Sequence, residues 1–294
     1  MIQLIIIIIL LIWLISATYT DIKTKEVPDW LSFSLIIIAL GSYTILSLIE
    51  NDFGILLTSL KGFGIFFILG NFLYYTKQWG GGDAKILMGI GATLPEYPSQ
   101  LLNYFNPNLD APFLVTIFIN IIIVGAVYSI IMGTRLILKN RKEFSKKFSK
   151  KIKNKKIRGI RDSIGLLSIV FLIVYLTSES YSIKAISILL AIMPLVFFYM
   201  WLSISIVEKI TMYKKIKVSQ LREGDWITKK IKINNKLIYT PNINGVTNKE
   251  IKKLRKYENE IKKLTIKDGI PFLPAILIAV VSSIIFGNLL AYLI

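Results

Sequence analysis

The chain has neither cysteine nor histidine among its 294 residues. Without Cys there can be no disulfide, no thiolate nucleophile and no Cys-ligated zinc. Without His, both the metalloprotease pair His-Glu-x-x-His and a Ser–His dyad are ruled out. Carboxylates, lysines, tyrosines and hydroxyls remain, so no cofactor and no metal are expected. These absences exclude mechanisms without establishing one. Acidic residues are also scarce, with 18 Asp and Glu against 36 Lys and Arg, a net charge of +18. The positives cluster between apolar runs, which is the loop bias of a membrane protein. They lack the aromatic interleaving or readable motif of a nucleic-acid surface. Membrane lipids are therefore expected as partners, and nucleic acid is not.

Apolar residues are abundant, at 54% of the chain with a mean hydropathy of +0.60. A membrane helix needs roughly 20 of them in a row. Eight apolar segments stand out, at 2–18, 30–49, 55–75, 84–94, 113–138, 164–176, 183–207 and 270–294. The expected fold is an all-α polytopic membrane bundle of about eight transmembrane helices, with a small cytoplasmic α+β insertion before the last helix. The expected domains are a bundle at 1–207 with a basic cytoplasmic loop at 139–161, an insertion at 208–269 and a last helix at 270–294. Met1-Ile2-Gln3 carries no basic residue before the first run, so this run reads as a span rather than a cleavable leader.

The connections alternate in charge. Lys23 and Lys25 follow the first run, Lys77 and Lys85 flank the short loop before the fourth, and a dense block follows the fifth. The links at 50–52, 95–112 and 177–182 hold no Lys or Arg. Positive-inside logic puts both termini outside and the two aspartate segments in the cytoplasm, in a multi-pass protein of the plasma membrane. Segment 84–94 is short, about 17 Å at 1.5 Å per residue against a core of ~30 Å. It either continues past Pro95 or begins below the surface in a wet recess. Lys61 and Lys184, inside apolar runs, are read as snorkelling outward.

In the insertion, Leu221-Arg222-Glu223-Gly224-Asp225-Trp226-Ile227 reads as a turn into a strand. Alternation on either side of Asn234-Asn235 signals a hairpin. Thr247 and Glu250 form a capping box for a charged helix running toward Lys263.

Two carboxylates stand at ends of apolar runs: Asp21, and Asp83 in Trp79-Gly80-Gly81-Gly82-Asp83-Ala84-Lys85. A carboxylate is expensive to keep at a membrane, so such a residue is read first as functional. One ionised Asp can activate water while a protonated partner polarises an amide carbonyl. Two close carboxylates cannot both ionise cheaply, which favours that unequal state. The glycines before Asp83 allow backbone conformations that Cβ forbids and close approach of a substrate strand. A tight turn with Asp83 as helix N-cap is the simpler alternative. Lys23 and Lys85 each lie two residues beyond an Asp and are read as interfacial anchors. Glu26 and Asp29 could attract a basic peptide or serve as solvated loop acids.

Asp21-x-Lys23 with Val27-Pro28, followed by Gly80-Gly81-Gly82-Asp83-Ala84-Lys85, resembles the type IV prepilin peptidases, aspartyl proteases with a Gly-x-Gly-Asp motif. Leu221-Arg222-Glu223-Gly224-Asp225, and Gly269-Ile270-Pro271-Phe272-Leu273-Pro274 opening the last run, resemble the archaeal branch, which includes preflagellin peptidases. The resemblance implies Asp21 and Asp83 as the catalytic pair. It also implies removal of short basic leaders from pilin-like or flagellin-like precursors at the cytoplasmic face. It covers the 139–161 block and the 164–207 hairpin poorly. Larger bacterial members carry a cysteine-bearing loop and methylate the new N-terminus; with no Cys here, methylation does not carry over. Presenilin-type and signal-peptide-peptidase-type intramembrane proteases share Gly-x-Gly-Asp, but Thr20 stands where they usually have Tyr. An ion-coupled transporter with Asp83 as coupling carboxylate is an alternative of another class, and it requires duplicated broken helices.

Overall fold

The computed structural model describes residues 2–233, 236–242, 245–261 and 263–292. The chain is mostly helical and divides into two compact units, residues 1–130 with 269–294, and residues 131–268. Among the described residues six helices are long and apolar enough to cross a membrane. A further apolar helix, Leu273–Phe286, is shorter.

In the first unit α1 covers Ile2–Thr24, α2 Asp29–Glu50, α3 Phe53–Tyr75 and α4 Gly81–Thr93. It also holds the first part of α5 (Phe113–Lys139) and, after the second unit, α10 (Leu273–Phe286). Short α4 is the centre of this unit. Nine of its thirteen residues are buried, among them Ile86, Leu87, Ile90 and Gly91. From Ile86 onward the helix is apolar on every face, as a surrounded helix is, and α1, α2 and α3 all pack on it. The close approach to α3 depends on small residues. A Cβ on Gly62 would lie 2.2 Å from the Gly91 carbonyl, and one on Gly91 would lie 2.4 Å from that of Gly62. The last carbonyls of α4, orphaned by its ending, are met by neighbours. Ser59 Oγ donates to Ala92 O at 2.7 Å and Tyr43 OH to Thr93 O at 3.2 Å. The helix therefore stops before Pro95, and the segment does not run on past it.

Exposed large aliphatics on α1 (Ile5, Ile8, Ile12, Ile15) and on α3 (Ile65, Ile68) present the apolar outer surface that lipid requires. At the far end of α10, buried Asn120 of α5 donates to Ser283 Oγ and Gly287 O, both at 2.8 Å, and accepts from Leu289 N at 3.0 Å. This network satisfies the polar atoms that the two helices bring together.

The second unit differs from the sequence expectation in its first part. The basic block is helical rather than a loop. α6 covers Arg141–Ile152, and α7 starts within the block and runs Lys155–Thr177. Phe144, Phe148 and Ile152 recur at helical spacing on α6, so the block has an apolar stripe. They pack with Ile157 of α7 and with Phe198, Leu202 and Ile206 of α8 (Tyr181–Val207).

Beyond α8, β1 (Tyr213–Ile216), β5 (Leu264–Lys267) and β2 (Trp226–Ile227) form an antiparallel sheet in the order β1-β5-β2. β3 (Ile231–Ile233) and β4 (Lys236–Tyr239) form the expected hairpin; Asn234-Asn235 lie outside the described residues. Gly224 (φ 89°) and Gly245 (φ 73°) are in left-handed backbone, and a Cβ on Gly245 would meet Gly224 O at 2.1 Å. This crowding, with Arg222 N donating to Asp225 Oδ2 at 2.8 Å, makes Leu221–Asp225 the expected turn into a strand. Thr247 caps α9 (Asn248–Arg255) with Glu250 as expected. The helix ends earlier than the charge pattern suggested. Leu264 and Ile266 alternate inward on β5, and pairing with β1 supersedes helical propensity there.

Candidate active site

The buried stripe of α1 runs Ile7, Leu10, Leu14, Ala17 and then Asp21, stepping by three and four along one face. Asp21 thus occupies a core position, 7% exposed, while Ile22, Lys23, Thr24, Lys25 and Glu26 beyond it are exposed. Its Oδ2 accepts the Leu273 N–H at 3.0 Å, and the Phe272 N–H bonds to it as well. These amides open α10, where a helix leaves donors unpaired and its dipole favours an anion. Pro271 and Pro274 flank them and offer no N–H of their own. Sequence reasoning had these residues only as part of a resemblance. The sole local signal was that proline-flanked start.

Asp83 is the third residue of α4, with Gly80 as the N-cap, so it is not the N-cap that the simpler alternative proposed. Its Oδ2 accepts the Gly80 N–H at 3.3 Å, a long bond that forms the carboxylate half of a capping box. The residue as a whole is half-buried. The glycines beside it are not in left-handed backbone, contrary to the conformational reason given for them. Close approach is the reason at Gly82, where a Cβ would meet Val27 Cγ2 at 2.9 Å.

Asp21 and Asp83 are brought together by the packing of α1 on α4, close enough for their charges to repel. Val27 on one side, and Trp79 with Phe272 in ring contact at 5.5 Å, wall the region with apolar groups. Lys85 turns away to an ion pair with Asp29 at 2.5 Å and lies 5.3 Å from the Phe33 ring. Asp29, considered above as a free acid for a basic peptide, is thus engaged. Lys23 stays exposed over Tyr19. Among the described residues no group of three or more acidic side chains could hold a metal ion.

The two carboxylates, on residues 21 and 83, fall within the segment that comparison with known proteins picks out. Residues 8–130 match the type IV leader peptidase family. The resemblance seen in the aspartate motifs is borne out. The preflagellin peptidase of Methanocaldococcus jannaschii is 31% identical over 129 residues, 44% of this chain and 55% of the relative. That of Methanococcus voltae is 30% identical over 130 residues, with the same shares. Prepilin peptidase EppA of Methanothermobacter thermautotrophicus is 34% identical over 114 residues, 36% of this chain and 29% of the relative. The chain spans about half the length of the preflagellin peptidases it matches. No solved structure matches it.

Proposed function

We propose that this chain is a membrane aspartyl endopeptidase that removes short basic leaders from pilin-like or archaeal flagellin precursors. The observation that carries this reading is the convergence of Asp21 and Asp83, with Val27 packed against Gly82 and the Trp79–Phe272 ring contact beside them. One ionised carboxylate takes a proton from water as the water attacks the scissile carbonyl. The other, protonated, polarises that carbonyl and then serves the leaving amine. The Phe272 and Leu273 amides hold the Asp21 carboxylate in place through the cycle. The relatives' names, and a family match that includes both aspartates, support this reaction class.

In the same reading the polypeptide makes eight passes of the plasma membrane, counting short α4 and α10. The aspartates, the basic block and the insertion face the cytoplasm, and residues 95–112 face outside. Residues 1–207, 208–269 and 270–294 serve as bundle, insertion and last helix. The transporter alternative requires a second broken helix, whereas α7 is continuous over Lys155–Thr177.

The test is to incubate membranes containing the chain with a candidate precursor and to follow leader removal. Cleavage is expected with the native chain and none with Asp83→Asn. A chelator should leave the rate unchanged. Loss with the chelator and recovery with zinc would contradict the metal-free mechanism.

A further inference from the structure

Six lysines, Lys147, Lys150, Lys151, Lys153, Lys156 and Lys209, line a single cavity of about 510 Å³. They come from α6, from the turn after it, from the start of α7 and from the residues just past α8. Their convergence arises because the apolar stripe of α6 packs on Phe198, Leu202 and Ile206 and points the lysines of its other faces toward the α7 turn. Ile157 and Ile206 form an apolar floor, and no carboxylate lines the cavity. Of the nearby acids, Glu143 pairs with Lys147 of the cavity itself, leaving five lysines with no such ion pair among the described residues, and Glu208 is bound to Lys267, each at 2.7 Å.

We propose that this cavity binds the phosphate of an anionic phospholipid headgroup. Several ammonium groups around one space suit a compact anion with many acceptor oxygens. The volume lies within the ~300–1,000 Å³ of small-ligand sites. Position selects the lipid over a free anion. The cavity lies where the apolar runs of α7 and α8 give way to lysine, the level at which headgroups lie. Trp201, 51% exposed on α8, sits under Lys151 at 5.4 Å, as interfacial tryptophans do. Lys151 also donates to Ser205 Oγ, which fixes one charge at the wall. Burial and the neighbouring Lys209 hold the Lys151 ammonium below its ordinary pKa, a cost that a bound anion would relieve.

The test uses the full chain purified in a neutral detergent, with bound lipid read by native mass spectrometry. Phosphatidylglycerol, phosphatidylcholine and inorganic phosphate are titrated separately. Two triple variants are compared, Lys150→Gln with Lys153→Gln and Lys156→Gln, and Lys249→Gln with Lys252→Gln and Lys256→Gln at α9. Retention of phosphatidylglycerol alone is expected. The cavity triple should lose about a hundredfold in affinity, at about fivefold per lysine, with no loss in the α9 triple. Should the cavity triple misfold, Lys153→Gln alone should still lose about fivefold. Equal losses in both triples would overturn the proposal, reducing the effect to general surface charge. Inorganic phosphate binding as tightly as lipid would also overturn it, as would displacement of the lipid by an equimolar duplex oligonucleotide.

Discussion

α4 and α7 are both apolar helices, yet their surroundings are nearly opposite. Nine of thirteen residues are buried on α4, whereas α7 buries Ile157 and Ser168 out of 23. Apolar composition shows only that a helix leaves water. The small residues show what it meets, because backbones approach closely only where side chains are absent. Gly62 and Gly91 face one another across α3 and α4, while Gly159 and Gly165 of α7 have nothing within 4 Å. The helix that carries Asp83 is thus fixed on three sides by protein. Such a frame suits a carboxylate that has to meet another at a set distance.

The largest effect expected from disturbing that frame is chemical. Asp21→Asn and Asp83→Asn each keep an acceptor for the Leu273 and Gly80 amides, so the local hydrogen bonds survive. Neither variant can cycle a proton, and cleavage should fall by at least about a thousandfold in each. Far-UV circular dichroism and detergent-phase thermal unfolding should stay near those of the native chain. Full activity in a well-expressed Asp83→Asn protein would refute the paired-carboxylate mechanism.

A smaller effect tests the contrast between the two helices directly. Gly91→Ala places a methyl 2.4 Å from the Gly62 carbonyl, which no rotamer can relieve, and should cost about 1–3 kcal/mol. Gly165→Ala meets open space and should gain up to about 1 kcal/mol from helix propensity alone. Unfolding midpoints in one detergent would decide between them. Equal shifts in the two variants would mean that the α3–α4 approach is looser than its geometry implies.

The apolar runs on both sides of this contrast were legible in the sequence, but not what each helix meets. Hydropathy marks the long helices, and acids at the ends of apolar runs, at residues 21 and 83, mark the candidate site, because both depend on local composition. The Thr247–Glu250 box and the turn at Leu221–Asp225 are local as well, and the structure has them as read. The amides at Phe272 and Leu273 are not local. They reach Asp21 across most of the chain, and no periodicity encodes that pairing. β5 was missed for a related reason, since Leu264 and Ile266 become strand residues only by pairing with β1. The helical nature of the basic block could have been read from Phe144, Phe148 and Ile152, whose spacing lies beneath the lysines.

The smallest predicted effects concern two lysines that each lie over an aromatic ring. Lys85 sits 5.3 Å from Phe33 and is paired with Asp29, whose side chain is 69% exposed. An ion pair this open contributes at most about 1 kcal/mol, so Lys85→Met should barely move the unfolding midpoint. It should also leave the pH profile of cleavage in place, because Lys85 is engaged away from Asp83. A shifted profile would instead make Lys85 a positioning residue for the aspartates. The pKa of Lys151, over Trp201, is held below the ordinary 10.5 by burial and by Lys209, with the charge of Glu208 opposing them. A lysine depressed in the folded state binds fewer protons there than in the unfolded chain. Stability must therefore rise with pH from the lowered value up to 10.5, and Lys151→Met should flatten that rise. The midpoint of lipid-free protein, followed from neutral to alkaline pH, reads the difference, and a slope that survives in Lys151→Met would assign it to another group.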